Sequence, residues 1–176
     1  RPETLESSLA QLKQDYEDAK YKYLAADTET TGLDFTFRCF TGAGSKVVGF
    51  VFSAKPGTSY YFPVGHKKIK NLCDGNIDVL VSKYLKPILE KWNIVAHNNE
   101  FDWMACYSHG IALNTVMDTM IILRNTLVAQ DSTIPYGLKP ATAMFLKRDS
   151  PELDDLCKNG DFNSTGATFA DLPEEL

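Results

Sequence analysis

The sequence predicts an α/β domain built on a mixed sheet, and three features of its apolar patterning carry that expectation. The β-branched and aromatic run between Lys46 and Ala54, VVGFVFS, and the run from Ser59 to Val64 flank a Pro56-Gly57 turn, so these two strands pair antiparallel. From Ile77 to Trp92, apolar residues fall at Ile77, Leu80, Val81, Tyr84, Leu85, Ile88 and Leu89, the spacing of one helix face. Behind that helix, Ile94 to Ala96 is a short apolar segment of the kind found in parallel strands.

The other elements follow in order along the chain. Residues 4 to 20 place Leu5, Leu9, Leu12 and Tyr16 three or four apart among charged residues, which reads as an amphipathic helix. Tyr23 to Asp27 reads as a buried strand that stops at the turn Thr30, Thr31, Gly32. The stretch from Asp34 to Ser45 is irregular, with Gly42 and Gly44 marking a loop to which no role is assigned. After the hairpin, Pro63, Gly65 and the basic group His66, Lys67, Lys68 and Lys70 form a further loop. Glu100 to Gly110 reads as a helix with Gly110 as its C-terminal cap. Val116 to Leu123 begins as a strand and turns helical, and Tyr136 to Leu146 is a helical piece within a Pro-, Asp-, Asn-, Gly- and Ser-rich remainder. Three strands, a helix, a strand, a helix and a further strand make the α/β arrangement.

At 176 residues, with 44% hydrophobic and 23% charged residues, the chain has the size and balance of one compact domain. Cys39, Cys73, Cys106 and Cys157 form no CxxC pair and only three histidines accompany them, so neither zinc spacing nor a disulfide framework is visible and reduced, mostly buried thiols are expected. No run reaches the ~20 apolar residues of a membrane span, and the first twenty residues are too polar for a signal peptide, so an intracellular protein without membrane contact is expected. A net charge of −5 argues against a broad basic face that grips nucleic acid. If the substrate is DNA, divalent cations have to offset the repulsion locally.

The chemistry-bearing residues are carboxylates. In YLAADTETTGL, Asp27 and Glu29 stand two apart on a strand, so both project from one face near its C-terminal end. Two adjacent carboxylates raise each other's pKa unless a cation intervenes, an arrangement suited to hard divalent metals. Asp-x-Glu alone is also an ordinary strand end. In NIVAHNNEFDWMACYSHGI, a short strand turns into a helix that exposes Asp102 in its first turn, with Asn98 four residues before it. The helix dipole by itself accounts for a carboxylate there.

Taken together, DTETTGL followed after one long helix by AHNNEFD resembles the first two motifs of the DEDD nucleases. The segments VVGFVFS, YYFPVGH, VMDTMIILRNTL and YGLKPATAMFL make the likeness closest to the 3′→5′ proofreading exonuclease domain of bacterial- or phage-type family A DNA polymerases, over roughly residues 20 to 176. The resemblance implies an RNase H-like mixed sheet flanked by helices. It implies that Asp27, Glu29 and Asp102 are the catalytic residues and hold two divalent ions, Mg²⁺ or Mn²⁺, for phosphodiester hydrolysis, with no Ser, Cys or His nucleophile. On the substrate side it places Asn98 near the ions, Leu33 against the terminal base, and Thr30 and Phe101 beside them. Core packing is the simpler account of Phe101 and Trp103. Asp118 matches a recurrent Asp-Thr pair that is structural support, not a ligand. The implied partners are a single-stranded DNA 3′ end and the polymerase domain of the same or a parent polypeptide, in the cytoplasm of a bacterial or phage-infected cell.

The sequence departs from that family at its end. A third motif, Tyr or His followed four residues later by Asp on a late helix, is not found: Tyr136 is followed by Pro140 and His109 by Leu113. The closing TFADLPEEL resembles what precedes that motif, so the expectation is a single domain over 1–176 with the third motif beyond it. The alternatives are a catalytically inactive RNase H-like scaffold and an RNA exonuclease of the RNase D type; the YFPVGH and MDTM segments favour the polymerase type. Turn-capping is the simpler role for His66, and solvated surface the simpler role for Lys67, Lys68 and Lys70.

Overall fold

A computed structural model describes residues 4–34, 44–148 and 170. Most of the loop between Asp34 and Ser45, the late acids from Asp149 onward, and the closing stretch apart from Ala170 lie outside the described residues.

Helix α1 (Leu5–Asp18) starts at Thr4, whose hydroxyl accepts from the Ser7 N–H in a capping box. It buries Leu9, Leu12 and Tyr16, and the Tyr16 ring stacks on Trp92 at 3.9 Å. Strands β1 (Leu24–Thr30), β2 (Val47–Lys55), β3 (Thr58–Pro63), β4 (Ile94–Ala96) and β5 (Thr115–Asp118) form one sheet in the order β3-β2-β1-β4-β5. β2 runs antiparallel to β1 and β3, whereas β4 runs parallel to β1 and β5 parallel to β4. This is the mixed RNase H-like sheet the sequence implies, and β1 ends deeper in it than an end at Asp27 would allow.

Alternation fixes which face does what. Leu24, Phe50, Phe52, Tyr60 and Phe62 point to one face and are buried with α1 and the following helices. Ala25, Asp27 and Glu29 point to the other. That second face is therefore where polar chemistry is accessible.

The expected helix from Ile77 runs as α2 (Ile77–Leu80), a π-helical stretch Val81–Leu85, and α3 (Lys86–Leu89). Pro87 explains the interruption. It has no N–H for the Lys83 carbonyl, and the turn widens so that the Lys86 N–H bonds to Val81 O. Leu80, Val81, Leu85, Ile88 and Leu89 still reach the core.

Helix α4 (Asn99–Tyr107) closes where Gly110, at φ 78°, donates to Tyr107 O and Ile111 donates to Cys106 O, with Ile111 fully buried. The expected glycine cap is thus a Schellman closure, in which the left-handed residue needs no Cβ. α5 (Thr119–Leu123) follows β5 directly, a π-helical stretch Arg124–Val128 extends it, and α6 (Leu138–Leu146) comes last. Among the described residues no helix is long and apolar enough to cross a membrane.

Candidate active site

The site forms where β1 outruns its parallel neighbour. β1 pairs with β4 only at Leu24↔Ile94 and Ala25↔Val95, and β4 stops at Ala96. Beyond that point the Thr28 N–H has lost its strand partner. Asp102 replaces it: one carboxylate oxygen, Oδ1, accepts from the Thr28 N–H at 2.9 Å and from the Thr28 hydroxyl at 2.7 Å. The expectation that Asp102 is exposed is therefore corrected, because it is only 3% exposed. The helix dipole is a lesser part of its account than this bond to a strand 74 residues away in sequence.

On the other side, β1 pairs Glu29 with Gly49 and Thr30 with Val47, so Val48 is an extra residue in β2. Its carbonyl accepts from both the Val64 and Gly65 N–H groups. A bulge of this kind re-aims the side chains beside it. The turn after β1 is closed by the Thr30 hydroxyl donating to Gly32 O at 2.8 Å and by mutual bonds between Thr31 and Lys46.

Asp27, Glu29 and Asp102 come together at this end of the sheet. Burial pushes Glu29 up to about 7, helped by the charges of Asp27 and Asp102. Burial likewise pushes Asp102 up to about 7, with Asp27 adding to the shift while the Thr28 bonds oppose it. Asp27 is open to solvent at its surface, yet the protein around its carboxyl raises its pKa as well. Lys139 on α6 offsets part of the charge at Glu29, and His97 part of that at Asp27. The donor set is all oxygen and short of positive charge, which fits a hard divalent cation. Among the described residues, no group of three or more His, Cys, Asp or Glu side chains is already drawn in around a metal position.

The substrate-side residues occupy the rim. Asn98 bridges β4 and α4 with a left-handed backbone, φ 65° and ψ 50°, and its side chain is exposed. Asp118 holds that strained turn: it accepts from the N–H groups of Asn98 at 3.1 Å and Asn99 at 2.8 Å while also capping α5 through Met120. Leu33 is 86% exposed. Phe101 and Trp103 pack half-buried against the core.

Two neighbours of the site were not singled out from the sequence. Thr28, between the two acids, is one; its role depends on where β4 ends. His97 is the other. Its Nδ1 is 2.9 Å from the Thr119 hydroxyl, its Nε2 is buried without a partner among the described residues, and it lines a cavity of about 260 Å³ beside Asp27 with Ala25, Val51, Val95 and Leu138. Its place next to Asn98 in AHNNEFD was the available signal.

A family model described as 3′-5′ exonuclease, of the DNA polymerase A type, matches residues 3–161. No curated protein matches the sequence. Among solved structures, the apo form of a nuclease superposes with a TM-score of 0.54 at 19% identity, over 86% of this chain and 60% of that one. Brucella melitensis NrnC bound to pGG superposes with a TM-score of 0.52 at 22% identity, over 79% of this chain and 60% of that one. At such identities the likeness is one of fold, and this chain spans about three fifths of the length of those nucleases.

Proposed function

The chain belongs to the 3′-5′ exonuclease family of the DNA polymerase A type, and from that membership we propose that it removes nucleotides from the 3′ end of single-stranded DNA as the proofreading part of a DNA polymerase. The observation that carries the reading is the meeting of Asp27, Glu29 and Asp102, from two elements, in a site where burial raises all three, Asp27 and Asp102 push Glu29 up further, and Asp27 does the same to Asp102. Without a cation the mutual repulsion of such a cluster is costly, which supports a role in binding one.

In this reading Asp27, Glu29 and Asp102 hold two Mg²⁺ or Mn²⁺ ions. Bound there, the ions supply an activated water and stabilise charge on the attacking and leaving oxygens. The chain's own residues do the rest. Thr28 fixes one oxygen of Asp102, which leaves the other for the site. Asp118 sets the turn that presents Asn98, and Leu33 offers an apolar surface for the terminal base, a contact worth about 1–3 kcal/mol where bases stack. A frayed or mismatched end is preferred because separating it from its partner strand costs less.

The test is degradation of 5′-labelled single-stranded DNA and RNA of one sequence by the full-length protein, with Mg²⁺, Mn²⁺ or chelator. Stepwise shortening from the 3′ end of DNA that chelator abolishes supports the proposal. Faster trimming of RNA would move it to an RNA exonuclease, and no metal-dependent shortening of either would leave the scaffold reading.

A further inference from the structure

Gly49 lies opposite Glu29 in the β1–β2 ladder and opposite Pro63 in the β2–β3 ladder. Its missing side chain opens a gap on the carboxylate face, and Tyr61 fills it. A Cβ at Gly49 would lie 2.3 Å from Tyr61 Oη and 2.4 Å from Cζ and Cε2, distances no real side chain tolerates. The hydroxyl end of the ring therefore rests on the glycine backbone, in the row next to Glu29.

Tyr61 is also fastened there. Its hydroxyl is 2.5 Å from His66 Nε2, and the two rings meet edge to face at 5.6 Å and 85°. His66 is held in turn by Asn71, whose side chain accepts from the His66 N–H at 2.8 Å and donates to the His66 carbonyl at 2.7 Å. Glu29 is close enough that its charge acts on the Tyr61 hydroxyl. Its neighbour Tyr60 points the other way, 8% exposed and bonded to Asp15. The strand thus assigns one tyrosine to the core and one to the carboxylate face.

We propose that Tyr61, laid over Gly49 and tied to His66, is a positioning residue for the exonuclease site: its ring walls off the β3 side of Glu29 and confines that carboxylate to orientations facing Asp27 and Asp102. The inference rests on the proposed function, since confinement of Glu29 matters because it is a ligand. It also gives His66 a role beyond turn-capping.

The experiment titrates Mn²⁺ into the parent chain and into Tyr61→Ala, Tyr61→Phe, Gly49→Ala and the Gly49→Ala/Tyr61→Ala double variant, following bound metal by electron paramagnetic resonance and folding by melting temperature. Loss of a residue that orients a ligand commonly weakens metal binding by about tenfold or more. Tyr61→Ala is expected to show about that loss, and Tyr61→Phe, which keeps the wall and loses the tether, a smaller one. Gly49→Ala should match Tyr61→Ala because its Cβ expels the ring. The double variant should be no worse than either, the non-additivity expected of two changes acting through one contact. If Gly49→Ala does not fold, the two Tyr61 variants carry the test. Parent-like Mn²⁺ affinity in folded Tyr61→Ala overturns the proposal alone. A parent chain that binds no Mn²⁺ overturns the nuclease reading and this inference with it.

Discussion

Among the described residues, two acidic sites are built on opposite principles, one at each end of β1. At the end where β1 begins, Asp15 of α1 is 3% exposed and fully served by donors: Lys55 Nζ at 2.8 Å, Tyr60 OH at 2.6 Å and Gln11 Nε2 at 3.0 Å. These bonds, led by those from Lys55 and Tyr60, hold its pKa down at about 2. At the far end, Asp27, Glu29 and Asp102 have few donors and one another for neighbours, and their pKa values rise. The same residue type serves as a rivet where it is satisfied and as a ligand set where it is not. Burial alone does not separate them, since Asp15 and Asp102 are equally inaccessible; the supply of positive charge does.

The comparison breaks first at Asp27. Under the proposed function, Asp27→Ala in the full-length protein should lower 3′-terminal DNA degradation by more than ~10³, beyond the loss of a single stabilising donor, because Asp27 would serve both ions. The melting temperature of the metal-free protein should hold or rise, because one of several repelling carboxylates is gone. Activity that survives in a folded variant would remove Asp27 from the site.

The pH dependence of stability should carry opposite signs for the two sites. Glu29 and Asp102, raised to about 7 in the folded state, bind protons there that the unfolded chain releases above ~4.3 and ~3.9. Metal-free stability should therefore increase as pH falls from about 8 to about 5. Asp15 is lowered to about 2, so its contribution is complete above ~3.9 and is lost as pH falls through about 2. Urea midpoints across pH should rise and then fall. Glu29→Gln should flatten the upper limb and Asp15→Asn the lower, and a curve in which Asp15→Asn alters only the upper limb would refute the assignment.

Much of this contrast was legible in the sequence, in the parts governed by short-range pattern. The period-2 run through β1 put Asp27 and Glu29 on one face, and the helical spacing after Ile77 gave the rod behind the sheet. What escaped depends on where elements end relative to one another. Asp102 reads as exposed until β4 stops at Ala96 and leaves the Thr28 N–H for it. Asp15 looks like any helix-surface acid until Lys55 and Tyr60, 40 and 45 residues later, come up against it. The π-helical turn before Pro87 was open to a reading of that proline, but the apolar spacing alone does not report it. Tyr61 over Gly49 needs the register of three strands at once.

Thr28→Val sharpens the comparison by taking one donor from Asp102 without touching a carboxylate. The backbone N–H bond remains, so the loss should be about 1–2 kcal/mol, close to tenfold in activity or metal affinity, with the fold kept. A variant indistinguishable from the parent would show that the backbone bond alone orients Asp102.

The smallest effect is expected at Lys67, Lys68 and Lys70, which follow His66 on the loop leaving β3. Among the described residues they are a run of positive charge on a protein whose net charge of −5 otherwise disfavours a phosphate backbone at a distance. If the ions at the carboxylates are the main neutralising element, replacing all three lysines with alanine should weaken single-stranded DNA binding by less than about tenfold and make the decline of affinity with salt shallower by up to ~2, at about 0.7 per lost phosphate contact. Fluorescence anisotropy of a labelled oligonucleotide, at several salt concentrations with Mg²⁺ present, measures both. Complete loss of binding with Mg²⁺ still present would invert the comparison: the loop would be the DNA-holding element, and the carboxylate site would act only on an end delivered to it.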